Sequence, residues 1–157
     1  MTIIIYYSET GTNAQIARTI GARVKAEVRE IRSVSRHSFL GKVFGSRMKR
    51  RFPIQLMDMD LSLFDSVILC APVWAGGPAC QMMTFIDKAD LGGKKVAVVF
   101  GCGALQSERA LTIIRATIMA KGATMVAGEI LDVGKLKEGA LTKAAHDLGG
   151  ILLGKLS

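Results

Sequence analysis

Ile3-Ile4-Ile5-Tyr6-Tyr7-Ser8-Glu9-Thr10-Gly11-Thr12-Asn13-Ala14 is the stretch whose reading decides the fold. Its first five residues are apolar and β-rich, as in a strand covered on both faces. After the polar run, Ile16, Ile20 and Val24 recur every four residues with Ala17 and Gly21 beside them, which makes one face of an amphipathic helix. The polar run is therefore a tight strand-to-helix turn. Free backbone N–H groups and the positive end of the helix dipole converge there, and Ser8, Thr10 and Thr12 add hydroxyls. The run holds no lysine and no GxxxxGK pattern, so it is not a nucleoside-triphosphate loop. Many neutral donors without a cation suit one fixed phosphate.

Working outward, the same alternation continues. Glu27 to Val34 reads as a second, weaker strand, and Ser66 to Ala71 as a third, closed by Pro72. Pro78 suits the first turn of a helix carrying Met82, Met83, Phe85 and Ile86. Lys95 to Phe100 is a fourth strand halted by Gly101. A helix from Ser107 to Lys121 ends at Gly122, Thr124 to Leu131 is a fifth strand, and a last helix spans about 138–156. Strands alternating with helices predict a doubly wound, five-stranded parallel α/β sheet with helices on both faces. The whole chain, 1–157, reads as one such domain. Ligands of these sheets sit outside the carboxyl ends of the strands, where strand order reverses. The loops after strands one, three and four are thus the ones to inspect.

Composition narrows the alternatives. No run approaches the ~20 apolar residues of a membrane span, and the opening residues lack an export-signal pattern. The three cysteines, Cys70, Cys80 and Cys102, show no CxxC spacing, so neither a disulfide framework nor a zinc site is indicated, and a reducing cytoplasm is the expected compartment. His37 and His146 fit no metal-ligand spacing, and no GxSxG elbow is present. The formal charge is +8, and it is concentrated: ten basic and two acidic residues lie between Arg23 and Phe52, against eleven of each elsewhere.

Three loops together resemble those of flavodoxins. Ser8-Glu9-Thr10-Gly11-Thr12 is similar to their phosphate loop, Ser/Thr-x-Thr-Gly-x-Thr. Ala71-Pro72-Val73-Trp74-Ala75-Gly76-Gly77-Pro78 resembles the loop whose tryptophan stacks on the isoalloxazine ring. Gly101-Cys102-Gly103-Ala104 stands where backbone amides grip the flavin pyrimidine edge. The resemblance covers essentially the whole chain and implies the short-chain type, strand order 2-1-3-4-5 and FMN as cofactor. It assigns cofactor contacts to Ser8, Glu9, Thr10, Gly11, Thr12, Asn13, Ala14, Pro72, Val73, Trp74, Ala75, Gly76, Gly77, Gly101, Cys102, Gly103 and Ala104. It places on Ala75 the carbonyl that turns toward flavin N5, with Gly76 easing that turn. The implied function is electron transfer, the flavin passing between oxidised and one- and two-electron reduced forms. The stretch from Gly101 to Arg109 lacks the tyrosine with which many flavodoxins cover the outer flavin face. That leaves room for an alternative, an NAD(P)H-dependent FMN oxidoreductase acting on a quinone or similar small acceptor. A flavin-free binding module of the same fold is the third reading.

The basic stretch 36–52 carries Leu40, Phe44, Met48 and Phe52 at helical spacing, with cations around them. It reads as a crossover helix laying this stripe on the sheet. Its cations, Arg47, Lys49, Arg50 and Arg51 foremost, suit an acidic redox partner or an anionic membrane surface. Basicity without a recognition motif does not point to nucleic acid.

Overall fold

The computed structural model describes residues 1–35, 40–41, 44–45, 50–103, 107–137 and 139–157. Ala104, Arg47, Met48 and Lys49 among the residues singled out above lie outside the described residues. In chain order the named elements are β1 (Thr2–Tyr6), α1 (Thr12–Val24), β2 (Glu27–Glu30), β3 (Ser66–Ala71), β4 (Val73–Trp74), β5 (Gly77–Pro78), α2 (Cys80–Lys88), β6 (Lys95–Cys102), α3 (Ser107–Ala120), β7 (Thr124–Asp132) and α4 (Ala140–Leu156). Five strands form one parallel sheet in the order β2-β1-β3-β6-β7. Counting only these, the order is the expected 2-1-3-4-5. The two-residue strands β4 and β5 make a separate antiparallel hairpin.

Alternation along each strand builds both layers. Ile3 and Ile5 of β1 face a core completed by Val67, Leu69, Val96, Val98 and Phe100 and by Phe85 and Ile86 of α2 and Ile114 and Ile118 of α3. Ile4 and Tyr6 face the opposite core with Ile68, Cys70, Ala97 and Val99, under Ile16 and Ile20 of α1 and Leu148 and Leu152 of α4. Central β1 and β3 are thus apolar at almost every position because neither face meets water. The register Tyr6↔Cys70, Ala71↔Phe100 and Cys102↔Asp132 brings the loops after β1, β3, β6 and β7 out at one edge of the sheet.

Several boundaries differ from the sequence reading. β6 runs through Gly101 to Cys102, since a glycine at a sheet edge keeps its ladder partner, here Leu131. Pro78 lies in β5 and α2 begins at Cys80 after Ala79; lacking an N–H, the proline fits the edge of a two-strand hairpin as well as a helix start. β2 stops at Glu30, and the chain beyond it returns through an isolated antiparallel bridge between Ser33 and Ile54. Among the described residues no helix is long and apolar enough to cross a membrane.

Ile68 is fully buried in the central strand, whereas Leu63 is 72% exposed. Ile68→Ala is expected to lower unfolding free energy by about 2–5 kcal/mol and Leu63→Ala by no more than ~0.5 kcal/mol, as read by urea denaturation.

Candidate functional site

At the carboxyl edge, the turn between β1 and α1 is held from within. The N–H of Gly11 donates to Ser8 Oγ at 3.1 Å, and the Thr10 and Thr12 hydroxyls share a hydrogen at 3.3 Å. Gly11, at φ +91°, stands in the left-handed region at the N-cap position, where a side chain is strained. The first helical bond runs from the N–H of Gln15 to the carbonyl of Gly11. The N–H groups of Thr12, Asn13 and Ala14 precede it and have no acceptor inside the helix. Three N–H groups, the dipole of a 13-residue helix and a rim of hydroxyls therefore share one end of α1.

Asn13 is buried and its side chain is engaged in holding the site together. Its Nδ2 donates to the Gly101 carbonyl at 2.9 Å, and its Oδ1 accepts from the Gly101 N–H at 3.1 Å. The Cys70 thiol donates to the same Oδ1 at 3.4 Å. A Cβ on residue 101 would fall 2.4 Å from Ile16 Cδ1 and 2.7 Å from Asn13 Oδ1, so the approach of α1 to β6 requires glycine there.

The second loop is the β4–β5 hairpin. Trp74 pairs with Gly77, leaving Ala75 and Gly76 as a two-residue turn with φ +47° and +76°. Positive φ at both central positions defines a type I′ turn, the form that matches strand twist. Alanine in that region costs about 1–2 kcal/mol. Trp74 is half-buried and meets Tyr7 edge to face, ring centroids 5.9 Å apart. Tyr7 donates its hydroxyl hydrogen to Glu9 Oε2 at 2.6 Å; burial first, and then the Glu9 carboxylate, push the phenol's pKa well above its ordinary value. Arg109, on α3, reaches the Ala75 carbonyl at 3.4 Å.

In the third loop, Cys102 is 7% exposed and its Sγ lies 3.2 Å from Ser107 Oγ. Burial raises its pKa, and the neighbouring Asp132 carboxylate acts in the same direction against the Ser107 hydrogen bond. A thiol held protonated in this way packs and does not attack. The Ser107 hydroxyl donates in turn to the Gly103 carbonyl at 2.8 Å, closing the start of α3.

Glu9, Thr10, Thr12, Asn13, Pro72, Trp74, Gly101 and Val133 line one cleft of about 360 Å³. All but Val133 were singled out in the sequence; Val133 follows β7, where nothing in its neighbours' pattern marks it. Tyr7, the support of Trp74, reads in sequence only as the end of an apolar run. A larger hollow of about 430 Å³ lies beside the edge strand β2, lined by Arg29, Glu30, Arg32, Gln55, Leu56, Met57 and Asp58. It lacks a helix N-terminus and an aromatic wall, so the smaller cleft is the candidate site. Among the described residues no three His, Cys, Asp or Glu side chains gather as a metal site requires.

No family model and no curated protein matches the chain. Solved structures do. A flavoprotein from Lactobacillus acidophilus, crystallised in complex with FMN, is similar at 21% identity and TM-score 0.72, covering 85% of this chain and 94% of that one. Oxidised flavodoxin 1 from Bacillus cereus is similar at 20% identity and TM-score 0.62 over 99% of each chain. A flavodoxin, WrbA-like protein from Agrobacterium tumefaciens is similar at 16% identity and TM-score 0.64, over 98% of this chain and 94% of that one. The fold is flavodoxin-like.

Two substitutions separate required from tolerated geometry. Gly101→Ala is expected to cost about 1–3 kcal/mol, because its methyl overpacks the contact with Ile16 and Asn13. Ala75→Gly is expected to stay within ~1 kcal/mol of wild type, relief of the left-handed alanine offsetting the added freedom of the unfolded chain. Urea unfolding of both variants checks the contrast.

Proposed function

We propose that the cleft binds FMN and that the protein uses it to move electrons. The observation that supports this most directly is the neutral, donor-rich end of α1 opening into the same cleft as Trp74. A terminal phosphate fits the Thr12, Asn13 and Ala14 N–H groups with the Ser8, Thr10 and Thr12 hydroxyls. A flat apolar ring with polar edges fits the face of Trp74. The cleft volume lies within the range of small-ligand sites, roughly 300–1,000 Å³. Bound flavin supplies one- and two-electron chemistry. The protein's part is placement. The hydroxyls and N–H groups fix the phosphate, Tyr7 holds Trp74 upright and anchors Glu9, and Pro72 and Val133 keep water from the walls. The FMN complex of the Lactobacillus acidophilus flavoprotein, a neighbour in fold, adds weight.

A second reading, NAD(P)H-dependent reduction of a quinone or similar acceptor, has its own support. Trp74 is the only aromatic ring among the described lining residues. Beside the cleft, sharing Thr12 and Val133 with it, lies a further hollow of about 350 Å³ bordered by Gln15, Leu136, Lys137, Gly139 and Leu141. Among the described residues no second aromatic ring would cover the far face of a ring stacked on Trp74, which would leave room for a second small molecule.

Thr10→Ala with Thr12→Ala should weaken FMN at least tenfold while leaving riboflavin nearly unchanged, since one lost charge-assisted hydrogen bond is worth about 1.5–3 kcal/mol. Equal weakening of both ligands places the phosphate elsewhere. Emission of Trp74, the single tryptophan, should be quenched as FMN saturates; unchanged emission removes the stacking role. Steady oxidation of NADPH by the FMN-loaded protein with a quinone present selects the oxidoreductase reading, and its absence the carrier.

A further inference from the structure

We infer that the segment around Leu40 and Phe44 is a peripheral docking face for an anionic lipid surface. The sequence reading has Leu40, Phe44 and Phe52 sharing one buried stripe, and the structure divides them. Phe52 is buried at 8% exposure, its ring against Gly45, where an added Cβ would lie 2.6 Å from it. Gly45 is buried, and Leu40 and Phe44 turn outward, 77% and 54% exposed. Residues 40, 41, 44 and 45 are helical, and both apolar side chains, four residues apart in sequence, are exposed. Leu63, also exposed, stands between Asp60 and Asp65 in sequence and needs no partner.

Charge identifies the partner of this face. From Ile31 to Met57 the sequence holds seven Lys and Arg residues and no Asp or Glu. Arg32 pairs with Glu30 at 3.0 Å and Arg51 with Asp87, both carboxylates from outside the run. Arg50 is exposed, and its guanidinium lies 5.5 Å from the centre of the Phe44 ring. Leucine and phenylalanine projecting from an acid-free basic segment match a surface that is negative at its headgroups and apolar just beneath. A lipid surface takes up both features, its headgroups meeting the cations and its acyl boundary the exposed pair. Among the described residues no helix is long and apolar enough to cross a membrane, and the attachment proposed is to the surface. Nothing in this inference depends on flavin.

Co-sedimentation with vesicles tests it. The whole protein should pellet with phosphatidylcholine–phosphatidylserine vesicles at physiological salt, stay in solution with phosphatidylcholine alone, and be released at high salt. Leu40→Ser with Phe44→Ser should weaken binding about tenfold or more, two apolar anchors being removed. Lys42→Glu with Arg50→Glu should weaken it comparably with the apolar pair intact, and Leu63→Ser should leave it unchanged. Circular dichroism establishes that each variant is folded. Failure of wild type to pellet with anionic vesicles overturns the proposal. So does full binding by the Leu40, Phe44 double variant, which would show that charge alone acts and favour an acidic protein as the partner.

Discussion

Everything at the carboxyl edge of the sheet depends on the side-chain amide of Asn13. It is 3% exposed and meets the N–H and the carbonyl of Gly101 with its own acceptor and donor. A buried amide left unmatched would cost about 1–3 kcal/mol. Matched, it fixes the first turn of α1 against the end of β6. The Cys70 thiol adds a bond from the end of β3, so one neutral residue ties the first turn of α1 to the ends of two strands that carry site loops. Gly101 permits the approach by having no side chain, and Ile16, one turn further along α1, fills the space beside it. The dipole of α1 can face an open cleft because its first turn is secured laterally and does not need the cleft side for support.

The charge of the chain and the charge of the site are separate matters. Among the described residues lining the cleft, Glu9 alone is ionisable, in a chain of net charge +8. An anion in that cleft is attracted by local N–H groups and repelled by a nearby carboxylate. The Tyr7 hydroxyl, whose proton is held firmly, keeps that carboxylate hydrogen-bonded at the rim. Recognition of this kind is short-range and survives salt, whereas the basic run works through a field screened within about 8–10 Å at physiological ionic strength. One protein can therefore use neutral donors for a small ligand and a concentrated positive segment for a large surface without the two interfering.

How much of this was legible in the sequence follows from the range of the forces involved. Ile3 to Tyr7 and Ser66 to Ala71 revealed the sheet because burial on both faces leaves a local signature, and Ile16, Ile20 and Val24 revealed α1 by period. The hydroxyl loop and Trp74 were visible by type and spacing. What stayed hidden depends on partners distant in sequence. The bracing role of the Asn13 side chain stays hidden because its partner, Gly101, is 88 residues away. Tyr7 reads as core because Trp74 and Glu9 meet it only in the fold. The outward turn of Leu40 and Phe44 contradicts a sound periodicity, because Phe52 takes the inward place against Gly45. Pro78 and Gly101, read as a helix start and a strand stop, show that residues with special backbone preferences mark a change of direction more reliably than they mark which element begins or ends.

The hairpin beside Trp74 carries the clearest physical constraint on how the site can behave. The resemblance to flavodoxins implies a carbonyl at Ala75 that turns over, with Gly76 supplying the freedom. Turning the central peptide of a type I′ turn produces type II′, which keeps positive φ at the first central residue and swings its ψ into a region reserved for glycine. In this chain glycine holds the second place and alanine the first, at φ +76° and +47°. Gly76 can follow either form at little cost, whereas for Ala75 the second form costs about 1–3 kcal/mol, so the strain falls on the residue whose carbonyl the resemblance implies would move. That strain favours the observed form, and the Arg109 contact at 3.4 Å lies on the same side of the balance. In its observed form the turn places Trp74 by geometry, with the Tyr7–Glu9 pair bracing the indole from behind.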